Sequence, residues 1–271
     1  MKYLIALLCL TLLTACVGDG NTTPTVTDIQ GKNLFYGVTA EFDFFGTYLD
    51  REGLNASVPN CAGQTPVFIS PTQQVLKCTV TAMGDIDVQI RDGAGAVIFA
   101  KTFTVPAPRV VLVTSKGSIV ADLNPTAAPL TVNNFLKYVQ AGFYTNTIFH
   151  RVIAGFVIQG GGFAPGLAMQ PGGFAPIPLE SNHGLTNQRG SLAMARTTDP
   201  NSATSQFYFN LVDNPALDYK DAANPGYTVF GKISQGLDVM DAIGAAPTNT
   251  LNGVADVPVT DIVVKTALRL Q

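Results

Sequence analysis

The sequence contains no tryptophan and only two histidines in 271 residues. Two histidines cannot build a His-rich metal site. Charge is scarce as well, at 13% of residues where soluble domains average roughly 25%. The 16 Lys and Arg against 19 Asp and Glu leave a net charge of −3, and no Lys/Arg run breaks that balance. Such a chain offers no electrostatic footprint to a phosphate backbone or an anionic membrane surface, so nucleic acid is not an expected partner. With 26 Gly and 17 Pro the composition is globular, neither disordered nor collagenous. The length suits one or two domains of roughly 100–200 residues each. The four cysteines need a separate account.

The chain opens on Met1, Lys2 and Tyr3, followed by an apolar run from Leu4 to Leu13 interrupted only by Thr11. This is the layout of a secretory signal, and it is too short for a bilayer, which takes about 20 residues. The stretch Leu13-Thr14-Ala15-Cys16 resembles the lipobox of bacterial lipoproteins. That resemblance implies removal of residues 1–15 as a signal peptide, a lipid on the Cys16 sulfur and acylation of the new amino group. Two or more acyl chains anchor stably where one is marginal. Asp does not follow Cys16, which favours the outer membrane over the inner, with the folded part facing periplasm or surface. Residues 16–30, rich in Gly, Thr, Asn and Pro, read as a flexible spacer after the lipid.

From residue 31 to 105 the pattern is β throughout. Val38, Ala40, Phe42 and Phe44 alternate with polar residues, as do Ile86, Val88 and Ile90, and Asp92-Gly93 signals a turn into a strand from Val97 to Val105. Several short strands in this length suggest a small sandwich, with an immunoglobulin-like arrangement as one option. Cys61 and Cys78 lie here and are expected to form a disulfide in an oxidising compartment. No catalytic constellation stands out in this half, which reads as a spacer or docking module. Pro106-Ala107-Pro108 then forms a stiff linker.

Beyond the linker, Arg109 to Thr114 and Ser118 to Leu123 read as a hairpin around Ser115-Lys116-Gly117. Pro129 to Ala141 carries Val132, Phe135, Leu136 and Val139 on one face, with Gly142 just beyond, as an amphipathic helix requires. Gln235 to Ile243 reads as a second helix and Asp261 to Leu268 as a closing strand. A Gly-Gly-Phe-Ala-Pro echo at 161–165 and 172–176 is too short to be a repeat architecture.

The chemistry lies between 143 and 231. There Phe149-His150-Arg151-Val152-Ile153 leads to Phe156-Val157-Ile158-Gln159-Gly160-Gly161, followed by Arg189-Gly190-Ser191-Leu192-Ala193-Met194-Ala195-Arg196 and Ser205-Gln206-Phe207-Tyr208-Phe209-Asn210. Taken alone, these residues are compatible with an apolar pocket bearing a few polar groups, and equally with packed strands and loops. Together they closely resemble the cyclophilins, a family of peptidyl-prolyl cis-trans isomerases, and above all its short-loop bacterial members. The likeness runs from about residue 109 to 271.

The resemblance implies a mainly β fold: an eight-stranded barrel with two helices, preceded here by the small β unit. It also implies a substrate groove on the outside of the barrel. By motif position, Arg151 is the expected catalytic residue and Gln159 the amide that binds the substrate carbonyl and orients it. Phe156, Val157, Tyr208 and Leu217 would form the proline socket, Ala195 and Arg196 the edge that bonds the peptide backbone, Gln206 a groove wall, and Tyr227 the pocket's closing residue. The chemistry suits these residue types. Rotation about a peptide bond faces roughly 18–20 kcal/mol because conjugation is lost, and a permanently charged guanidinium can donate to the imide nitrogen whose lone pair is freed at the twisted transition state. No bond breaks, so no cofactor or metal is expected.

Several positions depart from the best-known eukaryotic pattern: Val157 for Met, Arg196 for Asn, Tyr208 for Phe and Ala216 for Trp. The last predicts weak affinity for cyclosporin, since alanine lacks the indole donor. Neighbouring His150 and Arg151 should face opposite ways on a strand, leaving His150 packed; His183 reads as a solvated loop residue. The expectation is therefore a monomeric, lipid-anchored isomerase acting on proline-containing polypeptides during folding in the bacterial envelope. The alternative is a membrane-tethered peptide-binding or assembly module using the same groove without turnover.

Overall fold

The computed structural model describes residues 23–50 and 54–270. The leader-like run, Cys9 and the lipobox Cys16 lie outside the described residues. Seven strands precede the linker: β1 (Thr25–Lys32), β2 (Thr39–Thr47), β3 (Asn55–Ser57), β4 (Cys61–Ser70), β5 (Gln73–Val80), β6 (Gly84–Arg91) and β7 (Val97–Val105). They form two sheets, ordered β1-β2-β5-β4 and β3-β6-β7. Alternation decides which side chains meet between the sheets: Phe42 and Phe44 from β2, and Ile86, Val88 and Ile90 from β6, enter one core with Ile29 and Leu76. Cys61 and Cys78 are joined by a disulfide inside that core, tying β4 to β5. Asp43 breaks the alternation, being buried among the β2 apolar residues while its carboxylate pairs with Lys32 at 2.7 Å and accepts from Gln73 at 3.1 Å.

One expectation fails at the start of this unit. Residues 25–30, read as spacer, form most of β1, and Ile29 is fully buried. Val26 and Ile29, three residues apart, both pack on the core because a register irregularity between Val26 and Asp28 shifts the alternation, and they lie within a threonine-rich segment that composition alone reads as linker.

The second unit is a closed antiparallel barrel. Its strands, in chain order, are β8 (Arg109–Thr114), β9 (Gly117–Leu123), β10 (Thr147–Ile153), β11 (Val157–Gly160), β14 (Ser191–Met194), β15 (Phe207–Asn210), β16 (Val229–Gln235) and β19 (Val263–Arg269), after setting aside two hairpins, β12 (Phe163–Ala164) with β13 (Ala168–Met169) and β17 (Thr248–Leu251) with β18 (Val254–Pro258). Around the barrel they run β10-β11-β15-β14-β16-β9-β8-β19, and β19 closes it by pairing with both β8 and β10. Closure pairs every barrel strand on both sides. The interior is filled by residues such as Leu112, Ile119, Phe149, Ile158, Leu192, Phe207, Phe209 and Phe230, so the barrel encloses a packed core.

Helix α1 (Pro129–Gln140) buries Val132, Phe135, Leu136 and Val139 against this core, the face its spacing predicts. Its first residue is proline and Ala128 supplies no side-chain cap. The buried Glu180 caps it from a distance, accepting from the Leu130 amide at 3.0 Å, the Thr131 amide at 2.8 Å and the Thr131 hydroxyl at 2.8 Å. Helix α2 (Leu237–Gly244) starts two residues later than its sequence suggests. Gln235 still belongs to β16, and Gly236 makes the turn between them with φ 89°, a conformation open to glycine. The two Gly-Gly-Phe-Ala-Pro stretches behave differently: the first contains β12, whereas Phe174 in the second receives Lys137 over its ring at 3.9 Å.

The units are docked. Tyr36, from the loop between β1 and β2, is buried in the barrel's own core cluster. Its hydroxyl donates to Asn133 of α1 at 2.8 Å, and the Arg269 guanidinium donates to its carbonyl.

Candidate functional site

Strand register builds the site. Arg151 on β10 is the cross-strand partner of Gln159 on β11, Gln159 of Tyr208 on β15, and Tyr208 of Ala193 on β14. Directly opposed residues share a sheet face, while their neighbours Ile158, Phe207 and Phe209 fill the interior. One guanidinium, one amide and one phenol ring are thus set in a row on the outer wall.

Around this row lies a pocket of about 180 Å³ lined by Arg151, Phe156, Val157, Gln159, Ala195, Arg196, Tyr208, Leu217 and Tyr227. These are all the substrate-site residues expected from the sequence except Gln206. Gln206 sits immediately beside them, accepting from the Gln159 amide at 2.9 Å and lining an adjoining pocket of about 150 Å³ with Gln159, Ala195 and Arg196.

The socket is fixed from behind. Asn214 and the Leu211 amide both donate to the Phe156 carbonyl, at 3.1 and 2.9 Å. A 3₁₀ turn, Pro215–Leu217, presents Leu217, whose carbonyl accepts from the Tyr227 amide at 3.0 Å and so places Tyr227 on the opposite lip. Ala216 occupies the middle of the same turn. Arg196 is held rather than free: its guanidinium donates to the Gly226 carbonyl at 2.8 and 3.1 Å and lies 4.5 Å from the Tyr227 ring centre. Tyr208 is buried and donates to Asn187 at 2.7 Å, so the hydroxyl that phenylalanine would lack has a partner; burial holds its phenol pKa far above the usual value.

Arg151 differs from Arg196. Its side chain is 38% exposed, and its Nε lies 3.9 Å from a carboxylate oxygen of Asp256, a residue of β18 with φ 62°. Arg151 also lines the pocket, and a guanidinium carries more donors than the one nearest Asp256. His150 is buried with its ring 4.7 Å from that of Phe163, and it falls at a register irregularity between Phe149 and Arg151, so simple alternation does not set its direction. Burial pushes its pKa down to about 4, opposed by a bond to the Ile148 backbone and aided by the neighbouring Arg151 charge. His183 is exposed, and its Nδ1 contacts the Ala127 carbonyl. Sequence reasoning does not reach Asp256, Asn187 or Asn214; they act through contacts between distant segments, and no local motif marks them.

A charged donor and an amide beside apolar side chains, open along a barrel wall, suit a ligand with a small apolar part flanked by polar groups. Comparison with known proteins agrees. Residues 109–268 match the family model for cyclophilin type peptidyl-prolyl cis-trans isomerase/CLD. The chain is 49% identical over 160 residues to peptidyl-prolyl cis-trans isomerase cyp18 of Streptomyces antibioticus, covering 58% of this chain and 96% of that one. It is 48% identical over 154 residues to peptidyl-prolyl cis-trans isomerase B of Escherichia coli strain K12, covering 56% and 93%. A solved cyclophilin type isomerase of Cryptosporidium parvum superposes with a TM-score of 0.51 at 26% identity, over 61% of this chain and 98% of that one. The chain belongs to the cyclophilin-type peptidyl-prolyl cis-trans isomerases and has that enzyme's activity.

Proposed function

We propose that this isomerase is an envelope lipoprotein that speeds X-Pro isomerisation in exported polypeptides, with Arg151 as the catalytic residue. In this reading Arg151 donates to the imide nitrogen as the bond twists, Gln159 binds the carbonyl of the peptide, and Phe156, Val157, Tyr208 and Leu217 hold the proline ring. Ala195 and Arg196 bond the peptide backbone, Gln206 bounds the groove, and Tyr227 closes it. Residues 109–271 act as the catalytic domain, 25–105 as a β domain joined by 106–108, and Cys16 carries the lipid.

The observation that carries the chemistry is the register row Arg151–Gln159–Tyr208 opening into one pocket of mixed polar and apolar lining. Exchange spectroscopy on an X-Pro peptide should show Arg151→Ala slower by about two to three orders of magnitude, as for loss of one preorganised transition-state donor. Equal rates would end the assignment. The envelope reading is supported by the leader-like run and Leu13-Thr14-Ala15-Cys16. Palmitate label should be incorporated by the wild type, with a larger, uncleaved form accumulating under globomycin, and both effects should be absent from Cys16→Ser; label retained by that variant would remove the anchor.

A further inference from the structure

The outward row that begins at Arg151 continues past the proline socket. Ala193 is paired in turn with Val229 on β16. Val229 lines a second cavity of about 430 Å³, more than twice the volume of the socket. The ridge between the two is the segment 184–188, and it is bound to the socket. Leu185 packs on the same apolar cluster as Val157, Tyr208 and Val229, and it also lines the second cavity. Asn187 accepts from Tyr208 and is held by Asp218, which accepts from its backbone amide at 2.6 Å and from its side chain at 2.8 Å.

The opposite wall does not come from the barrel. It is Met83, between β5 and β6, and Ala107 in the linker. The Tyr36 latch onto α1 and β19 keeps that wall in place. The lining therefore combines apolar surface from Met83, Leu185 and Val229 with exposed Gln188 and Lys232 as donors. That combination fits an apolar side chain whose own backbone carbonyls need partners. Methionine adapts to side chains of different shape.

The geometry points to a second client subsite: this cavity takes an apolar side chain of a polypeptide whose proline lies in the groove, and the N-terminal β unit thereby takes part in choosing clients. The inference rests on the groove assignment above. Its occupant is a segment of the same client because the cavity and the socket share one sheet face and one ridge.

The full chain is assayed by exchange spectroscopy on peptides with a single X-Pro, in which one leucine is moved a residue at a time away from the proline on either side, each paired with its serine analogue. For the wild type, one spacing should lower KM by about three- to tenfold relative to serine, from partial burial of the side chain. Met83→Arg should abolish that gain, with kcat/KM for a tetrapeptide unchanged. Thr186→Arg, at an exposed position of the same lining, should do likewise and covers the case in which Met83→Arg fails to fold. Absence of a leucine gain at every spacing, or its persistence in both variants, overturns the subsite. Loss of activity with Arg151→Ala is read on the tetrapeptide alone, so failure of the groove assignment shows separately.

Discussion

The two halves of this chain solve the same problem, burying a β core, in different ways. The barrel closes on itself and spends its outer wall on polar groups set in register, whereas the N-terminal unit leaves β1 and β4 as sheet edges and carries a disulfide beside one of them. Closure makes each barrel strand's position depend on all the others, so a residue such as Arg151 is fixed by pairings on both sides of its strand. An open sandwich is fixed chiefly by its core, which makes it easier to perturb without altering a distant site. Arg151, Gln159 and the pocket around them lie on the closed half, whereas the open half contributes Tyr36 to the contact with α1 and β19 and Met83 to the neighbouring cavity.

Beyond the loss expected for Arg151→Ala, the sharpest way to test this separation is to remove the cross-link. Cys61 and Cys78 are 17 residues apart in sequence, and a closed loop of that size contributes about 3 kcal/mol in the chain-entropy model. Replacing both with serine should lower the unfolding midpoint of the N-terminal unit in a urea titration followed by circular dichroism. The barrel's kcat/KM on a tetrapeptide should remain within about twofold, a difference of under about 0.5 kcal/mol in transition-state stabilisation. A parallel fall in tetrapeptide turnover would show that the Tyr36 latch couples the halves more tightly than their separate cores suggest.

The same contrast explains what could be read from the sequence. Barrel residues were legible because chemistry constrains them in long local stretches: Phe149 to Gly161 holds Arg151, Phe156, Val157 and Gln159 in one hairpin, and strand pairing brings them together. The strands that hold Phe42 and Val88 were legible only as alternation, which gives a sandwich but no function. What escaped notice depends on contacts between remote segments. Glu180 caps a helix through Thr131, which lies 49 residues before it, and Tyr36 enters a core assembled from the other half. Neither carries a local pattern. The start of β1 escaped for another reason, since two apolar residues among threonines are enough for an edge strand yet resemble a linker.

Mild acid should separate the halves with a smaller effect. Both histidines belong to the barrel, and His150 is the buried one, its pKa brought down to about 4 from 6.5 chiefly by burial. A histidine whose folded pKa lies below its unfolded value binds more protons when unfolded between those two limits, so stability is full above about pH 6.5 and declines as pH falls toward 4. At about pH 5 the loss amounts to about 2 kcal/mol. The N-terminal unit has no histidine, and its Asp28, whose pKa is lowered first by bonding to Lys101, adds to stability above its ordinary carboxylate range and loses that contribution only at more acid pH. Between about pH 7 and 5, therefore, the barrel's midpoint should fall while the sandwich's stays nearly level. In His150→Gln the barrel's pH slope should flatten across this window, even where the substitution lowers its stability overall, because a neutral amide has no proton to gain. A slope preserved in that variant would place the acid sensitivity on other groups and remove His150 as the distinction between the two halves.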